Sequence, residues 1–166
     1  LADRVHDCDL LLDQTYGRTE DDYRSFVPGH CTILTGSKYA LLRPEFAELR
    51  EYSLQRRKNT GLDRILITMG GIDKDNSTGK VLAVLKQCEL SNNLCITIVM
   101  GQSSPWLSSV KELAAEMPWP TEVLVNVKDM ARQMADSDLC LGAAGSTAWE
   151  RCCLGLPTLL LVLADN

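Results

Sequence analysis

The sequence has no long hydrophobic run, and we expect no secretory targeting segment from its first residues. No stretch approaches the ~18 consecutive apolar residues that a transmembrane helix needs. The first four residues, LADR, are polar or charged, unlike the start of a signal peptide. Apolar residues make up 45% of the chain and charged residues 23%, which is ordinary for a globular protein. We therefore expect a cytoplasmic protein without a transmembrane segment.

A large basic patch is also missing. The net charge is −5, and the compact cationic group is residues 56–58, RRK. Nucleic acid is therefore disfavoured as a partner, because its binding requires clustered positive charge. We expect residues 56–58 to form a solvated helix end. A nucleotide diphosphate would have to be held by backbone amides.

The cysteines and histidines do not follow the spacing of metal ligands. Seven cysteines are present with no C-x-x-C pair, and there are only two histidines, His6 and His30. This pattern argues against a zinc site, and we expect neither a metal nor another cofactor. Buried free thiols in a reducing cytosol are the expected state of the cysteines.

A glycine-rich turn near the end of the chain organises the sequence. An apolar run at residues 139–141 leads into the turn GAAG at 142–145, and a short helical stretch then reaches Leu154. Gly155 is typical of a helix C-terminus, and a second apolar run extends over residues 157–163. A helix N-terminus behind such a turn offers unpaired N–H groups and partial positive charge to an anion. The pattern predicts the diphosphate end of a nucleotide site.

A purely structural interpretation fits the same residues. Thr147 and Glu150 match the capping box T-x-x-E, so Glu150 would merely close its own helix. The glycines would then only permit tight packing between strand and helix. Spacing alone leaves both interpretations open.

The remaining pattern predicts a parallel, doubly wound α/β sheet of the Rossmann-like type. Strands are expected at 65–69, 94–100 and 122–127, ahead of the two in the glycine-rich unit, with a helix between each pair. Such sheets bind ligands beyond the carboxyl ends of their strands, where the strand order reverses. Glycines follow three of these strands, at 70–71, 101 and 142–145. No G-x-G-x-x-G follows the first strand, so NAD is disfavoured.

The predicted domain organisation has three parts. Residues 1–16, with the apolar run at 10–12, are expected to be the last part of an N-terminal Rossmann-like domain. Residues 17–61 form the connection, extended at 39–43 and helical over 45–58. Residues 62–166 form a C-terminal Rossmann-like domain. We expect this sequence to be excised from a longer protein, because it lacks an initiator Met and stops just past a strand.

Several separate motifs in this order resemble a known group of proteins. The UDP-binding half of GT-B proteins related to MurG is similar at residues 127–130, 135–138, 145–150 and 155–157. A closer resemblance, over nearly the whole chain, is to the UDP-sugar hydrolases of pseudaminic-acid biosynthesis (PseG/SpsG-like). It rests on HDCDLLLDQ at 6–14, YALLRPEF at 39–46, MGGID at 69–73 and the segment 142–157.

The resemblance implies a GT-B fold in which UDP is held mainly by the C-terminal domain, here truncated at its C-terminus. The implied reaction cleaves the anomeric C–O bond of UDP-2,4-diacetamido-2,4,6-trideoxy-beta-L-altropyranose without a metal and releases UDP. Carried over by position, the backbone amides of Gly145, Ser146 and Thr147 would bind the diphosphate. Glu150 would accept hydrogen bonds from the ribose, and Val127 and Met130 would border the uracil. Gly70 and Gly71 would line the cleft near the sugar, and Asn166, the catalytic candidate, would face the sugar.

One part of the family pattern is missing. The catalytic base of the family is thought to be a His in an N-terminal glycine-rich loop, whereas His6 and His30 lie in other motifs. A water nucleophile needs a base within about 3 Å of its proton. The fragment is therefore expected to bind UDP weakly and to be inactive, while the intact protein would be the enzyme.

Two alternatives to the hydrolase stay open. A MurG-like transferase would use the same UDP half and hand the sugar to an acceptor hydroxyl. A non-catalytic nucleotide-sugar-binding module would bind UDP without turnover even in the intact protein. UDP-N-acetylglucosamine epimerases share the fold, but the motif at 39–46 argues against them. Asp73 is equally open, as a residue near the ligand or as the turn and cap of the next helix. The oligomeric state cannot be deduced from the sequence.

Overall fold

A computed structural model describes residues 2–58, 61–145 and 147–163 of the chain. It divides into two compact units, Leu1–Arg43 and Pro44–Asn166. This division lies inside the stretch 17–61, which the sequence analysis treats as one connection. Within the described residues, no helix is both long and apolar enough to cross a membrane.

The first unit contains a small parallel sheet. Strand β1 (Leu10–Asp13) pairs with β2 (Thr32–Thr35). The buried Tyr23 lies between them in sequence, and its hydroxyl donates a hydrogen bond to the Asp13 carboxylate. Burial, followed by this hydrogen bond, raises the pKa of Tyr23 to about 12. β2 is not predictable from the sequence, because its four residues carry only a weak alternating pattern.

Residues 39–43 are expected to be extended, and the structure differs from this expectation at residue 39. A short 3₁₀ turn covers Ser37–Tyr39, and residues 40–43 have no regular secondary structure. The backbone N–H of Leu41 donates to the Gln14 side-chain oxygen at 2.9 Å. This hydrogen bond connects the segment to the end of β1.

The second unit is built on a five-stranded parallel sheet. Its strands are β3 (Arg64–Thr68), β4 (Cys95–Met100), β5 (Thr121–Val125), β6 (Leu139–Ala143) and β7 (Thr158–Leu161), in the spatial order β5-β4-β3-β6-β7. All four strand pairs are parallel. β3 lies at the centre and is buried along its last four residues, as expected for a strand covered on both faces.

Helices cover both faces of this sheet and create two cores. The helices are α1 (Pro44–Arg56), α2 (Ser77–Leu85), α3 (Leu107–Ala115), α4 (Met130–Ala135) and α5 (Thr147–Leu154). On one face, Ile65 and Ile67 of β3 pack with Leu82 of α2 and Val110 of α3. On the other face, residues of α1, α4 and α5 pack around Leu66. Alternate residues of one strand thus serve opposite cores, and the doubly wound α/β class expected from the sequence is confirmed.

The basic stretch at the end of α1 is not a solvated helix end. The Arg57 guanidinium donates to the backbone oxygens of Met134 at 2.8 Å and Leu154 at 2.7 Å. These carbonyls lie at the C-terminal ends of α4 and α5, where helix carbonyls carry partial negative charge. Arg56 pairs with Asp138 at 2.6 Å. The expectation was wrong for both arginines, and only Lys58 of the three is exposed.

The cysteines are free thiols, but most of them are not buried. Only Cys140 is buried, whereas three cysteines are exposed and three are half-buried. Cys95 shows why the expectation of burial was too broad. It lies at the first position of β4, and its side chain is exposed, although a run of apolar residues follows it in the sequence.

Candidate functional site

The strand order places the reversal point of the sheet between β3 and β6. The chain runs from β3 through β4 to β5 on one side and then returns to β6 and β7 on the other. β3 and β6 are hydrogen-bonded neighbours, with Thr68 opposite Gly142. Their carboxyl ends therefore lie side by side. In open α/β sheets this is the position at which ligands bind.

Glycine turns follow both of these strands. Gly70, with φ +87°, follows β3, and Gly145, with φ +153°, follows β6. Both are exposed, and a Cβ atom built on either would meet no atom within 4 Å. Positive φ values favour glycine, and the open space leaves room for a ligand to approach the backbone.

The other glycines at this edge have a different role. Gly142 is buried, and a Cβ atom there would collide with the Arg151 guanidinium and lie 3.2 Å from the Thr68 carbonyl oxygen. Gly101 donates its N–H to the carbonyl oxygen of Gly71 at 3.1 Å, so a Cβ atom there would run into that carbonyl. These two glycines permit close packing within the protein. Within the turn at 142–145, the open approach suited to a ligand is therefore at Gly145, not at Gly142.

Arg151 is a buried cation directly behind the β6–α5 turn. Its side chain is 2% exposed, and Nη2 donates to the Ala143 carbonyl oxygen at 2.8 Å. Nη1 lies 3.9 Å from the sulfur of Cys140, whose pKa is raised by burial although Arg151 acts in the opposite direction. Among the described residues, no carboxylate forms an ion pair with Arg151. Within that part of the chain, its positive charge has no carboxylate partner and lies next to the turn.

The β3–α2 turn carries the opposite charge. Asp73, buried and with φ +48°, accepts hydrogen bonds from the backbone N–H groups of Ser77 at 2.8 Å and Thr78 at 2.9 Å. The side chain of Asn76 accepts another from Gly79 at 3.1 Å. These are N-terminal amides of α2, which the protein's own side chains satisfy. Of the two interpretations of Asp73, the turn and cap of the next helix is the one that these hydrogen bonds support.

The expected binding residues lie at one edge of the sheet, but not all at neighbouring strands. Gly70 and Gly71 follow β3, whereas Gly145 follows β6 and Thr147 begins α5. Glu150 lies in the first turn of α5 and is partly exposed. Because α5 begins at Thr147, the residue before the helix is Ser146, which lies outside the described residues, as does Asn166.

The residues expected to border the uracil follow a more distant strand. Val127 and Met130 come after β5, which is separated from β6 by β4 and β3. At about 4.8 Å per strand, this corresponds to roughly 14 Å across the sheet. Met130 begins α4 and packs against the core that α4 shares with α5. The structure brings the expected glycines at β3 and β6 to neighbouring strand ends and places the uracil residues farther along the same edge.

Hydrogen bonds that the sequence analysis did not anticipate connect the loops at this edge. The Trp106 indole N–H donates to the backbone oxygen of Lys74 at 3.1 Å, joining the loop after β4 to the loop after β3. Asn126, with φ +56°, donates from its side chain to the Gln102 side-chain oxygen at 2.9 Å, which joins the end of β5 to that of β4. These contacts of Asn126 and Trp106 are not predictable from the sequence, because the local sequence does not show which loop lies beside each side chain.

A large apolar cavity lies away from the glycine turns. Its volume is about 500 Å³, and it is lined by residues of α2, β6 and β7, among them Val84, Leu141 and Leu159. The lining is almost entirely aliphatic, and Lys80 is the one charged residue in it, whereas a nucleotide site needs several polar groups that converge on the ligand. The reversal point of the sheet therefore remains the stronger candidate for a nucleotide site.

Comparison with known proteins gives three similar relatives. The spore coat polysaccharide biosynthesis protein SpsG of Bacillus subtilis is 30% identical over 159 residues, which is 95% of this chain and 45% of that protein. The UDP-2,4-diacetamido-2,4,6-trideoxy-beta-L-altropyranose hydrolase of Campylobacter jejuni is 26% identical over 147 residues, 89% of this chain and 50% of the hydrolase. An uncharacterised protein of Methanocaldococcus jannaschii is 33% identical over 128 residues, 76% of this chain and 26% of that protein.

These matches cover only part of each relative. The chain spans half of the length of these curated relatives, or less. No protein-family model matches it. The resemblance to PseG/SpsG-like proteins that the sequence motifs predict is nevertheless confirmed by two of the relatives.

Proposed function

We propose that this chain supplies the nucleotide-binding part of an enzyme that processes a UDP-sugar in polysaccharide biosynthesis. The observation that carries the proposal is the open Gly145 turn at the reversal point of the sheet, with the buried cation of Arg151 behind it. A diphosphate is attracted by that charge and by the N-terminus of α5. The similarity to SpsG, a protein of spore coat polysaccharide biosynthesis, and to the Campylobacter UDP-sugar hydrolase supports this proposal.

The proposed ligand lies along the carboxyl edge of the sheet. Backbone amides at Gly145 and Thr147, together with Ser146, bind the diphosphate, and the Glu150 carboxylate accepts hydrogen bonds from the ribose hydroxyls. Val127 and Met130 border the uracil. A UDP molecule laid from β6 towards β5 is consistent with the distance of roughly 14 Å between these strands. Gly70 and Gly71 face the sugar and phosphates, and Asn166 the sugar.

The finer proposal is hydrolysis, with UDP as the leaving group. Water attacks the anomeric carbon of UDP-2,4-diacetamido-2,4,6-trideoxy-beta-L-altropyranose, the anomeric C–O bond breaks, and the free sugar and UDP are released. The positive charge of Arg151 and the amides near Gly145 stabilise the negative charge that develops on the departing diphosphate. Support for this reaction comes from the similarity to the Campylobacter hydrolase, which acts on this UDP-sugar.

Calorimetric titration of UDP tests the nucleotide site. We expect wild type to bind UDP and Gly145→Asp to lose at least about tenfold in affinity, because the new carboxylate repels the diphosphate. Gly145→Ala introduces the same backbone strain at φ +153° without the charge, so it should bind better than Gly145→Asp. Gly61→Asp is a matched control, because Gly61 is an exposed glycine with open space around it.

The remaining arms test the ribose contact and the site as a whole. Glu150→Ala should weaken UDP binding while leaving inorganic pyrophosphate binding unchanged, since only UDP carries the ribose. Equal UDP affinity in wild type, Gly145→Ala and Gly145→Asp would overturn the site. Failure of the chain to bind UDP at millimolar concentration would overturn the proposal that it binds the nucleotide by itself.

Product analysis separates the reaction from its alternatives. A full-length protein that contains this chain, incubated with the UDP-sugar and no acceptor, should release UDP and free sugar in equal amounts. UDP release that requires an added acceptor hydroxyl would identify a transferase. UDP-sugar binding without release of UDP would identify a non-catalytic binding module.

A further inference from the structure

Two cysteine sulfurs in the first unit lie next to each other. Sγ of Cys8 and Sγ of Cys31 are 3.7 Å apart. Across the described part of the chain, which includes all seven cysteines, no other two of their sulfurs come within hydrogen-bonding range. The pair lies outside the proposed nucleotide site, which is built from residues of the second unit.

Hydrogen bonds hold the backbone on both sides of this pair. The backbone N–H of Thr32 donates to the Asp9 carbonyl oxygen at 2.8 Å, and that of Cys31 to Pro28 at 2.9 Å. The side chains of His30 and Asp9 are 3.1 Å apart. A disulfide requires the sulfurs to approach to about 2.05 Å, roughly 1.7 Å closer than they are in this structure.

The pair is accessible to small molecules. Both cysteines are half-buried, and Cys31 lines a cavity of about 330 Å³ whose wall also includes Arg24 and Ile33. Cys8 instead lies between Asp7 and Asp9. Burial, then the hydrogen bond with Cys31 and the neighbouring carboxylates, raises the pKa of the Cys8 thiol. These surroundings favour Cys31 as the first thiol to react.

Metal binding does not account for this arrangement. Although His30 and Asp9 lie close by, nowhere in ranges 2–58, 61–145 and 147–163 do three or more His, Cys, Asp or Glu residues converge as metal ligands. Two adjacent, accessible thiols held by a fixed backbone are instead suited to the formation of a covalent bond.

We propose that Cys8 and Cys31 form an oxidative modification site that a hydroperoxide converts into an intramolecular disulfide. The Cys31 thiolate attacks a peroxide oxygen, the O–O bond breaks, and a sulfenic acid and one water (or alcohol) form after protonation. The Cys8 thiol then attacks the Cys31 sulfur, the S–O bond breaks, and the S–S bond forms as a second water leaves. With hydrogen peroxide, two thiols and one peroxide thus give one disulfide and two waters.

Peptide mapping of the oxidised chain tests this directly. The 166-residue protein is treated with hydrogen peroxide, its remaining thiols are blocked with N-ethylmaleimide, and it is digested with trypsin without reduction. Cleavage after Arg4, Arg18, Arg24 and Lys38 places Cys8 and Cys31 on separate peptides, 5–18 and 25–38, each with one cysteine. We expect these peptides to be linked, about 2 Da lighter than their sum, and to separate on reduction.

Substitutions identify the roles of the two thiols. Cys8→Ser should remove the linked peptide and leave Cys31 as a sulfenic acid that dimedone traps. Cys31→Ser should remove it and leave Cys8 open to alkylation. Cys88→Ser, at an exposed cysteine of the second unit, should leave the link unchanged.

Two results would overturn the proposal, and both can be obtained with the wild-type protein, without any variant. In the first, both peptides stay unlinked at a peroxide concentration that oxidises the exposed Cys88 and Cys95. In the second, Cys8 or Cys31 is linked mainly to another cysteine.

Discussion

Two glycine turns lie side by side at the carboxyl edge of the sheet, and they carry opposite charges. At the β3–α2 turn the buried carboxylate of Asp73 binds the first amides of its helix. At the β6–α5 turn the buried guanidinium of Arg151 holds the carbonyl oxygen of Ala143. The β3–α2 turn therefore already contains a carboxylate, whereas the β6–α5 turn has a positive charge directly behind it.

This difference shows that a glycine after a parallel strand does not by itself indicate a phosphate site. Gly70 and Gly145 are both exposed, and both have positive φ. The charge behind each turn is what distinguishes them, because buried charges are weakly screened and act strongly on a neighbouring anion. The following predictions test whether charge at these turns controls UDP binding and charge elsewhere controls only stability.

The largest effect on stability is expected at the opposite end of β6. Asp138 pairs with Arg56 at 2.6 Å and accepts backbone N–H groups of Asp63 and Arg64 at 3.0 and 2.8 Å. Asp138→Ala leaves Arg56 largely buried without a partner, so it should lower the free energy of unfolding by about 3–5 kcal/mol. Denaturant unfolding measures this, and the folded fraction should bind UDP with unchanged affinity.

A neighbouring ion pair provides the control for this prediction. Asp136 pairs with Arg132 at 2.8 Å near the surface, so Asp136→Ala should cost about 1 kcal/mol or less. If folded Asp138→Ala lost affinity for UDP, charge at the amino end of β6 would also affect UDP binding. That result would contradict the expectation that only charge at the glycine turns does so.

Removing the buried cation should affect both stability and binding. Arg151→Met leaves the Ala143 carbonyl without its donor, which costs about 1–3 kcal/mol. We expect UDP affinity, measured by calorimetry, to fall about tenfold and UMP affinity to fall less, because UMP carries less negative charge. Arg151→Lys keeps the charge and should retain the preference for UDP. Equal losses for UDP and UMP would mean that Arg151 only shapes the turn.

A smaller effect is expected at the other turn. Asp73→Ala removes the cap of two α2 amides and should cost about 0.5–2 kcal/mol of unfolding free energy. Asp73→Asn keeps an acceptor and tolerates the positive φ, so it should cost less. Neither change removes a group that attracts UDP, and calorimetry should find no loss of affinity. A marked loss with Asp73→Asn would show that the carboxylate contacts the ligand.

The sequence was sufficient to predict the α/β class because β3 to β7 and α2 to α5 carry strong local patterns. Ile65, Leu66 and Ile67 form a continuous apolar run, as buried parallel strands do. β2 was missed because four residues of mixed character do not form a distinguishable period. Its identity as a strand depends on pairing with β1, which is a tertiary contact.

The charged residues were harder to predict, because their surroundings come from distant parts of the chain. The Arg57 guanidinium donates hydrogen bonds to carbonyl oxygens about 80–100 residues farther along the chain. The local sequence indicates only a basic helix end. For Arg151 a signal existed: it lies three residues before the buried Leu154, on the same face of α5. That spacing indicates an inward arginine, but it does not identify Gly142 as the residue that makes room for it.

The pH dependence of stability provides the last and smallest test of the structural charge at Asp138. Burial alone would raise the pKa of Asp138, but the hydrogen bond from Arg56 and those from the amides of Asp63 and Arg64 outweigh it, so the pKa lies below the unfolded value of 3.8. The stabilisation is therefore complete above pH 3.8 and is lost as the pH falls through the lower, folded value. Wild type should lose its stability advantage over Asp138→Asn across this acid window, as measured by urea unfolding between pH 6 and pH 2. If the difference in unfolding free energy between the two proteins stayed constant over that range, an ionised Asp138 carboxylate paired with Arg56 would not be what stabilises this end of β6.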